Sequence, residues 1–214
     1  MYDVEAFREE RIEVLHALIQ AYPLATLVTR MTTGAQGLEA NHIPLLFDPE
    51  PGPDRKFGTL RGHVARANPV WRTFNADTEV LAVFQGPQGY ITPSWYLGKA
   101  QHGKVVPTWN YAVVHAHGPL KIIDDAEWLR KLVTRLTKSQ ESPREKPWQV
   151  TDAPADYIDT MLNAIVGIEI PVSRLQGKWK MSQNRLPQDR DGVVEGLEQR
   201  GDEASLAMLQ ALRR

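Results

Sequence analysis

The sequence predicts an α+β protein, a largely antiparallel sheet closed or nearly closed into a barrel with helices at its periphery. Three observations carry this expectation. Short apolar, β-branched runs recur through the middle of the chain. The 15 glycines and 15 prolines fall mostly between those runs, where turns are needed. Helical periodicity is confined to the start, to the stretch after residue 124, and to the end. Apolar residues make up 42% of the 214 residues, enough for a core and too many for a disordered chain. One domain over residues 1–214 is expected, with an N-terminal helix and a C-terminal helical extension.

Asp3 to Tyr22 reads as the first helix. Asp3 can cap it, Leu15, Leu18, Ile19 and Tyr22 share a face, and Pro23 stops it. Leu24 to Thr29 is a buried strand. Thr32-Thr33-Gly34 with Gly37 marks a turn, and Leu38 to Phe47 resumes as strand, with Pro44 arguing for a sheet edge or bulge. Asp48 to Lys56 is a surface loop, and Gly58 to Ala65 is the next strand. Asn68 and Pro69 open a short helix, Val70 to Phe74, with Asn68 as N-cap.

Val80 to Phe84 and Gln88 to Ile91 read as strand around Gly86-Pro87. Thr92 to Val105 is a long loop. Val106 to Ile123 is a strand or strand pair, broken at Gly118-Pro119. Asp124 and Glu127 have capping-box spacing and start a helix whose apolar face holds Trp128, Leu129, Leu132, Val133 and Leu136. After a loop over Ser142 to Trp148, Asp156 to Ala164 forms another helix behind Pro154. Ile165 to Leu175 returns as strand, and a last helix runs from about Glu203 to the end.

Several chemistries are excluded by composition. There are no cysteines, so disulfides, thiolate metal sites and cysteine nucleophiles are out. Net charge is −1, without the basic excess of a dedicated nucleic-acid binder; DNA is not supported by charge or by any helix-turn-helix. No apolar run approaches the ~20 residues of a membrane span, and Met-Tyr-Asp-Val-Glu lacks a signal-peptide pattern. A cytoplasmic location is therefore expected. His115 and His117 share a strand face but lack a nearby carboxylate, so no metal is expected.

Three segments concentrate polar chemistry. In Gly62-His63-Val64-Ala65-Arg66-Ala67-Asn68-Pro69, glycine permits close backbone approach, Arg66 carries a donor fork suited to phosphate, and Asn68 begins a helix. The alternative is a helix cap beside an exposed arginine. In Pro107-Thr108-Trp109-Asn110-Tyr111, the two aromatics share one strand face, to stack on a cofactor or to fill the core, while Asn110 faces solvent or a subunit interface. In Lys178-Trp179-Lys180-Met181-Ser182-Gln183-Asn184-Arg185, Trp179 reads as a stacking residue flanked by charges, facing either a phosphate-bearing partner or a dimer rim.

These blocks resemble the PaiB-type family, described as FMN-binding negative transcriptional regulators. Also matching are Tyr22-Pro23-Leu24-Ala25-Thr26-Leu27-Val28, Asn41-His42-Ile43-Pro44-Leu45, Val83-Phe84-Gln85-Gly86-Pro87, Tyr90-Ile91-Thr92-Pro93-Ser94-Trp95-Tyr96 and the run from His102 to Tyr111. Ile165-Val166-Gly167-Ile168-Glu169-Ile170 completes the set, and coverage is essentially the whole chain. The resemblance implies a six-stranded antiparallel split β-barrel and a homodimer with FMN at the subunit interface. It implies that Asn41 and His42 line the flavin ring, and that Gly62, His63, Arg66 and Asn68 take the phosphate and ribityl chain. Thr108, Trp109 and Asn110 would approach from another strand. Lys178, Lys180 and Ser182 would close the groove from a partner subunit. The family's label implies transcriptional regulation; a flavin-dependent oxidoreductase and a haem-binding split barrel are the alternatives. No catalytic residue is assigned.

Overall fold

The computed structural model describes residues 1–32 and 37–213. The turn expected over Thr32 to Gly34 falls mostly outside these residues. The chain divides into two compact units. One comprises Met1–Leu18, Phe84–His115 and Gln176–Arg214; the other comprises Ile19–Val83 and Ala116–Leu175. Among the described residues the strands form two antiparallel sheets, so the α+β class expected from the sequence holds.

The N-terminus departs from the single helix expected. A short 3-10 turn, Glu5–Phe7, leads into strand β1 (Arg8–Glu9), and helix α1 (Ile12–Ala21) starts only afterwards. The reason is local electrostatics. Asp3 takes the Arg8 guanidinium at 2.9 Å instead of capping. Glu9 accepts from both the backbone N–H and the side chain of Arg11, each at 2.9 Å, which turns the chain into α1. The apolar face of α1 then packs as its periodicity foretold. Leu15 lies against Gly177 and Leu18 against Gly86, at positions where a β-carbon would collide.

In the unit that starts at Ile19, β2 (Leu24–Arg30) pairs with β3 (Leu38–Pro44) from Leu24↔Pro44 to Arg30↔Leu38. The run expected to continue to Phe47 is split after Pro44. Leu45 donates its N–H to Pro23 O at 2.9 Å, and the chain re-enters as β4 (Leu46–Asp48) in the second sheet. Proline at the end of β3 thus marks a change of sheet. β5 (Thr59–Ala65) is flanked by β4 and by β9 (Ile165–Pro171), and β8 (Lys121–Ile123) closes the order β4-β5-β9-β8. Gly118-Pro119 separates β8 from β7 (Thr108–Gly118), as expected.

Helix α4 (Ala126–Glu141) is capped by Asp125, which accepts from the Trp128 N–H at 2.7 Å. Asp124, the expected cap, is engaged elsewhere. Leu129 of α4 packs with Val150 and with Ile158 and Leu162 of α5 (Ala155–Asn163). Full burial of such a side chain stabilises by about 1.5–3 kcal/mol. The Trp128 ring sits over Gly167, where any side chain would clash. Arg61 of β5 lies between Glu169 (2.7 Å) and Asp48, and Asp48 also takes Arg135.

The other sheet has the strand order β1-β10-β7-β6-β2-β3. Its members include β6 (Val80–Ile91), which runs through Gly86-Pro87 without the expected interruption, and β10 (Arg174–Lys180), of which only Arg174 and Leu175 fall within the strand expected over Ile165 to Leu175. The expected loop after residue 92 contains a 3-10 turn, Pro93–Trp95, and helix α3 (Leu97–His102). Between β10 and the expected last helix, α7 (Glu203–Leu212), lies an unexpected one, α6 (Pro187–Arg200). The remaining short helix, α2 (Val70–Thr73), follows Asn68 and Pro69 as expected.

Candidate functional site

The residues singled out by sequence fall into two sets, one in each unit. Asn41, His42, Gly62, His63, Arg66 and Asn68 belong to the unit containing Ile19–Val83. Thr108, Trp109, Asn110, Lys178, Lys180 and Ser182 belong to the unit containing Gln176–Arg214.

In the first set, the N-cap position of α2 is held by Pro69 and not by Asn68, which lies one residue earlier and still takes the first helical N–H. Its Oδ1 accepts from the Val70 N–H at 2.9 Å, and its Nδ2 donates to Asn41 Oδ1 at 2.7 Å. Asn41 in turn donates to Glu39 at 3.1 Å. His42 is exposed on β3, the terminal strand of its sheet. Gly62 is buried, and the close approach it permits is to the Pro44 carbonyl and the Leu45 side chain. Arg66 is fully engaged within the protein. Its Nη1 and Nη2 grip Asp124 at 2.9 and 2.6 Å, Nε donates to Asn163 O at 2.7 Å, and Nη2 also reaches Ile165 O at 3.0 Å. The pairing holds the Asp124 carboxyl below its ordinary range, through the hydrogen bond with Arg66. His63 is half-buried; burial pushes its pKa down, and its Nδ1 has no hydrogen-bond partner.

The second set is knit together around the end of β10. Lys180 Nζ donates to Thr108 Oγ1 and to Trp109 O, the latter at 2.7 Å. Asn110 is completely buried, not solvent- or interface-facing as expected, because Nδ2 donates to Ser182 Oγ at 2.9 Å. Ser182 has φ +64°, a left-handed conformation uncommon outside glycine. The turn is held by Gln183, which accepts from Met181 N–H at 2.6 Å, and by Arg185 N–H donating to Ser182 O at 3.0 Å.

That turn swings Arg185 back over the Tyr96 ring, 4.8 Å from its centroid. Lys178 donates to Tyr2 O at 3.0 Å and lies 5.8 Å from the Tyr111 ring centroid. Trp179, between the lysines, is buried in the core and does not serve as an exposed stacking residue. Trp109 is half-exposed; it donates to Gln88 at 3.1 Å and meets Tyr90 with ring centroids 6.3 Å apart.

Electrostatics separate the two sets. Arg66 is neutralised by Asp124. Lys178, Lys180 and Arg185 have no carboxylate within ion-pair distance among the described residues. Burial, then Arg185, then Lys178 push the Lys180 ammonium's pKa down. Three partly buried cations without an ion pair are chemically suited to an anion, although the Asp189 carboxylate acts on the same Tyr96 as Arg185, and the fork of Arg185 suits phosphate oxygens. Arg185 and Tyr96 were absent from the sequence assignment. They are 89 positions apart in the chain (185 − 96), and only the positive-φ turn at Ser182 brings them together. No group of three or more potential metal ligands occurs among the described residues. No helix among them is long and apolar enough to cross a membrane.

Comparison with known proteins gives this geometry a family. Residues 1–174 match the model described as "Putative FMN-binding domain". The chain is 35% identical over 199 residues to "Protease synthase and sporulation protein PAI 2" of Bacillus subtilis, covering 92% of this chain and 89% of that one. It is 36% identical over 242 residues to an uncharacterized protein of Emericella nidulans, covering 100% and 96%. The chain belongs to this PaiB-type family of FMN-binding-domain proteins.

Among solved structures, a conserved hypothetical protein of Mycobacterium tuberculosis matches with TM-score 0.55 at 16% identity, over 87% of this chain and 94% of that one. A structure described as "a putative 5-nitroimidazole antibiotic resistance protein" of Bacteroides thetaiotaomicron matches with TM-score 0.53 at 13% identity, over 80% of this chain and 85% of that one. At these identities the likeness is one of fold, the FMN-binding split barrel.

Proposed function

We propose that this PaiB-type chain binds FMN as a homodimer and serves as a flavin-dependent negative transcriptional regulator. The observation that carries the flavin reading is the unneutralised trio Lys178, Lys180 and Arg185. A bound phosphomonoester would accept their charge-assisted hydrogen bonds and relieve their mutual repulsion. Trp109, half-exposed beside Tyr90, offers an aromatic face of the kind a flavin ring stacks on. Asn41, His42 and Asn68, which the family resemblance suggests as partners of the ring and ribityl chain, would then be offered by the other copy of the dimer.

Thr108 and the Trp109 carbonyl orient the Lys180 ammonium. The buried pair Asn110–Ser182 holds the turn that carries Arg185. Arg66 has a different role in this reading: it clamps the start of β9 to Asp124 and is not one of the anion's partners. Bound FMN would supply an electron- and hydride-accepting ring. The regulatory part rests on family membership and on a relative named for protease synthesis and sporulation.

The test is titration of the purified protein into FMN, followed by quenching of flavin fluorescence. Lys180→Met should weaken binding by at least about tenfold, the loss of one charge-assisted contact. The same substitution should raise the melting temperature of the flavin-free protein, because it removes one of three repelling cations. Unchanged affinity in Lys180→Met would overturn the assignment of the phosphate site.

A further inference from the structure

A cavity of about 790 Å³ opens in the unit containing Ile19–Val83, beside the β3–β4 junction and the end of α4. Its walls are mostly apolar, with Pro23, Leu24, Leu45, Phe47 and Leu136 among them. Gln20 and Gln140, both exposed, stand among its few polar residues. No Asp, Glu, Lys or Arg is among the described residues that line it. The size falls within the range of small-molecule sites. The absence of charge from its walls argues against a phosphate or carboxylate ligand, which would be desolvated there without a counter-ion.

One ionisable side chain lines the cavity: His63, projecting from β5. Its neighbour Val64 is buried on the opposite side of the strand. Its Nδ1 is buried and has no partner. Burial also favours the neutral imidazole. A neutral ring carries one proton, and an orphaned buried N–H is rarer than a bare lone pair. The proton therefore sits on Nε2, which gives the imidazole one N–H to donate, the only donor on an ionisable side chain among the described residues of a largely apolar wall.

We propose that this cavity binds an uncharged fused-ring compound, held by a ring carbonyl that accepts from His63 Nε2. This is a second site, separate from the proposed flavin phosphate site. It calls for a ligand with a flat apolar body and one acceptor, and it disfavours anions.

The probe is 7-methoxycoumarin, titrated by its own fluorescence into the full-length protein, with naphthalene as a ring lacking the acceptor. Saturable coumarin binding is expected, with naphthalene weaker by about tenfold, the worth of one hydrogen bond. His63→Phe should reduce coumarin to the naphthalene level. Thr137→Trp, which fills the cavity from α4 and leaves the His63 side chain unchanged, should block both. Lys180→Met should bind coumarin like the wild type, and saturating FMN should not displace the probe. Those two arms separate this site from the flavin proposal. The proposal fails if the wild-type protein does not saturate, if naphthalene binds as tightly as coumarin, or if FMN displaces coumarin. The wild-type comparison of the two rings holds even where His63→Phe does not fold.

Discussion

His63 and Lys180 are both bases held below their ordinary proton affinity, for different reasons. Burial alone acts on His63, whereas neighbouring cations add to burial at Lys180. For His63 the consequence is a pH-dependent stability whose sign is fixed. The unfolded chain takes up the proton near pH 6.5, while the folded chain resists it. Below that pH the unfolded state therefore binds more protons, and stability falls as pH falls through that window. His117 is shifted in the same direction, again mainly by burial. His63→Phe should flatten the fall in melting temperature between about pH 7.5 and pH 5.5 without abolishing it. Equal slopes in the two proteins would mean that His63 protonates freely in the folded state. At this scale the sequence was legible where partners are local. The Asn68 bond to the start of α2 spans two positions and was foreseen, although Pro69 holds the cap position itself. The Arg66 clamp on Asp124 spans 58 positions, so a donor fork that looked free for phosphate is in fact used within the fold. Trp179 was misread for a related reason. Its flanking lysines are local, but which face of β10 is covered depends on strands far away in sequence.

Helices with a strong apolar stripe were legible: α4, α5 and α7 lie within a few residues of their expected spans. α6 was not, because part of its packing face is made of glycine. Gly192 and Gly196, one turn apart, lie against Trp95, the first against its carbonyl and the second against its indole. Val193 and Leu197 beside them are fully buried. A glycine stripe of this kind carries no hydrophobic signal, yet it permits closer approach than a leucine stripe. Gly192→Ala sets two effects against each other. Helix propensity gains up to about 1 kcal/mol, but the methyl group would overlap the Trp95 carbonyl, and overpacking costs about 1–3 kcal/mol. Net destabilisation of about 1–2 kcal/mol is expected by urea unfolding. A stabilised variant would show that α6 moves off Trp95 at no cost. The strand split after Pro44 follows the same logic. Proline flagged an irregularity, but the change of sheet depended on pairing with β5, which lies beyond Asp48–Lys56.

At the scale of the whole molecule, family membership and fold agree with what the motif blocks implied, and the assembly is the part that sequence leaves to experiment. The homodimer and flavin proposals are thermodynamically linked. If two copies jointly hold FMN, flavin must favour the dimer by the same factor by which dimerisation favours flavin. Sedimentation of the protein at decreasing concentration should therefore show dissociation shifting to lower concentration when FMN is saturating. Ligand at about one hundred times its dissociation constant contributes about 2.7 kcal/mol to the bound state. For a chain of this length that corresponds to a rise in melting temperature of roughly 5–11 °C. Lys180→Met should lose most of both effects at the same FMN concentration. A flavin that raised the melting temperature but left the monomer–dimer balance unmoved would place the cofactor within a single copy. In that case Lys178, Lys180 and Arg185 would have to hold the phosphate without help from Asn41, His42 or Asn68 of a second chain.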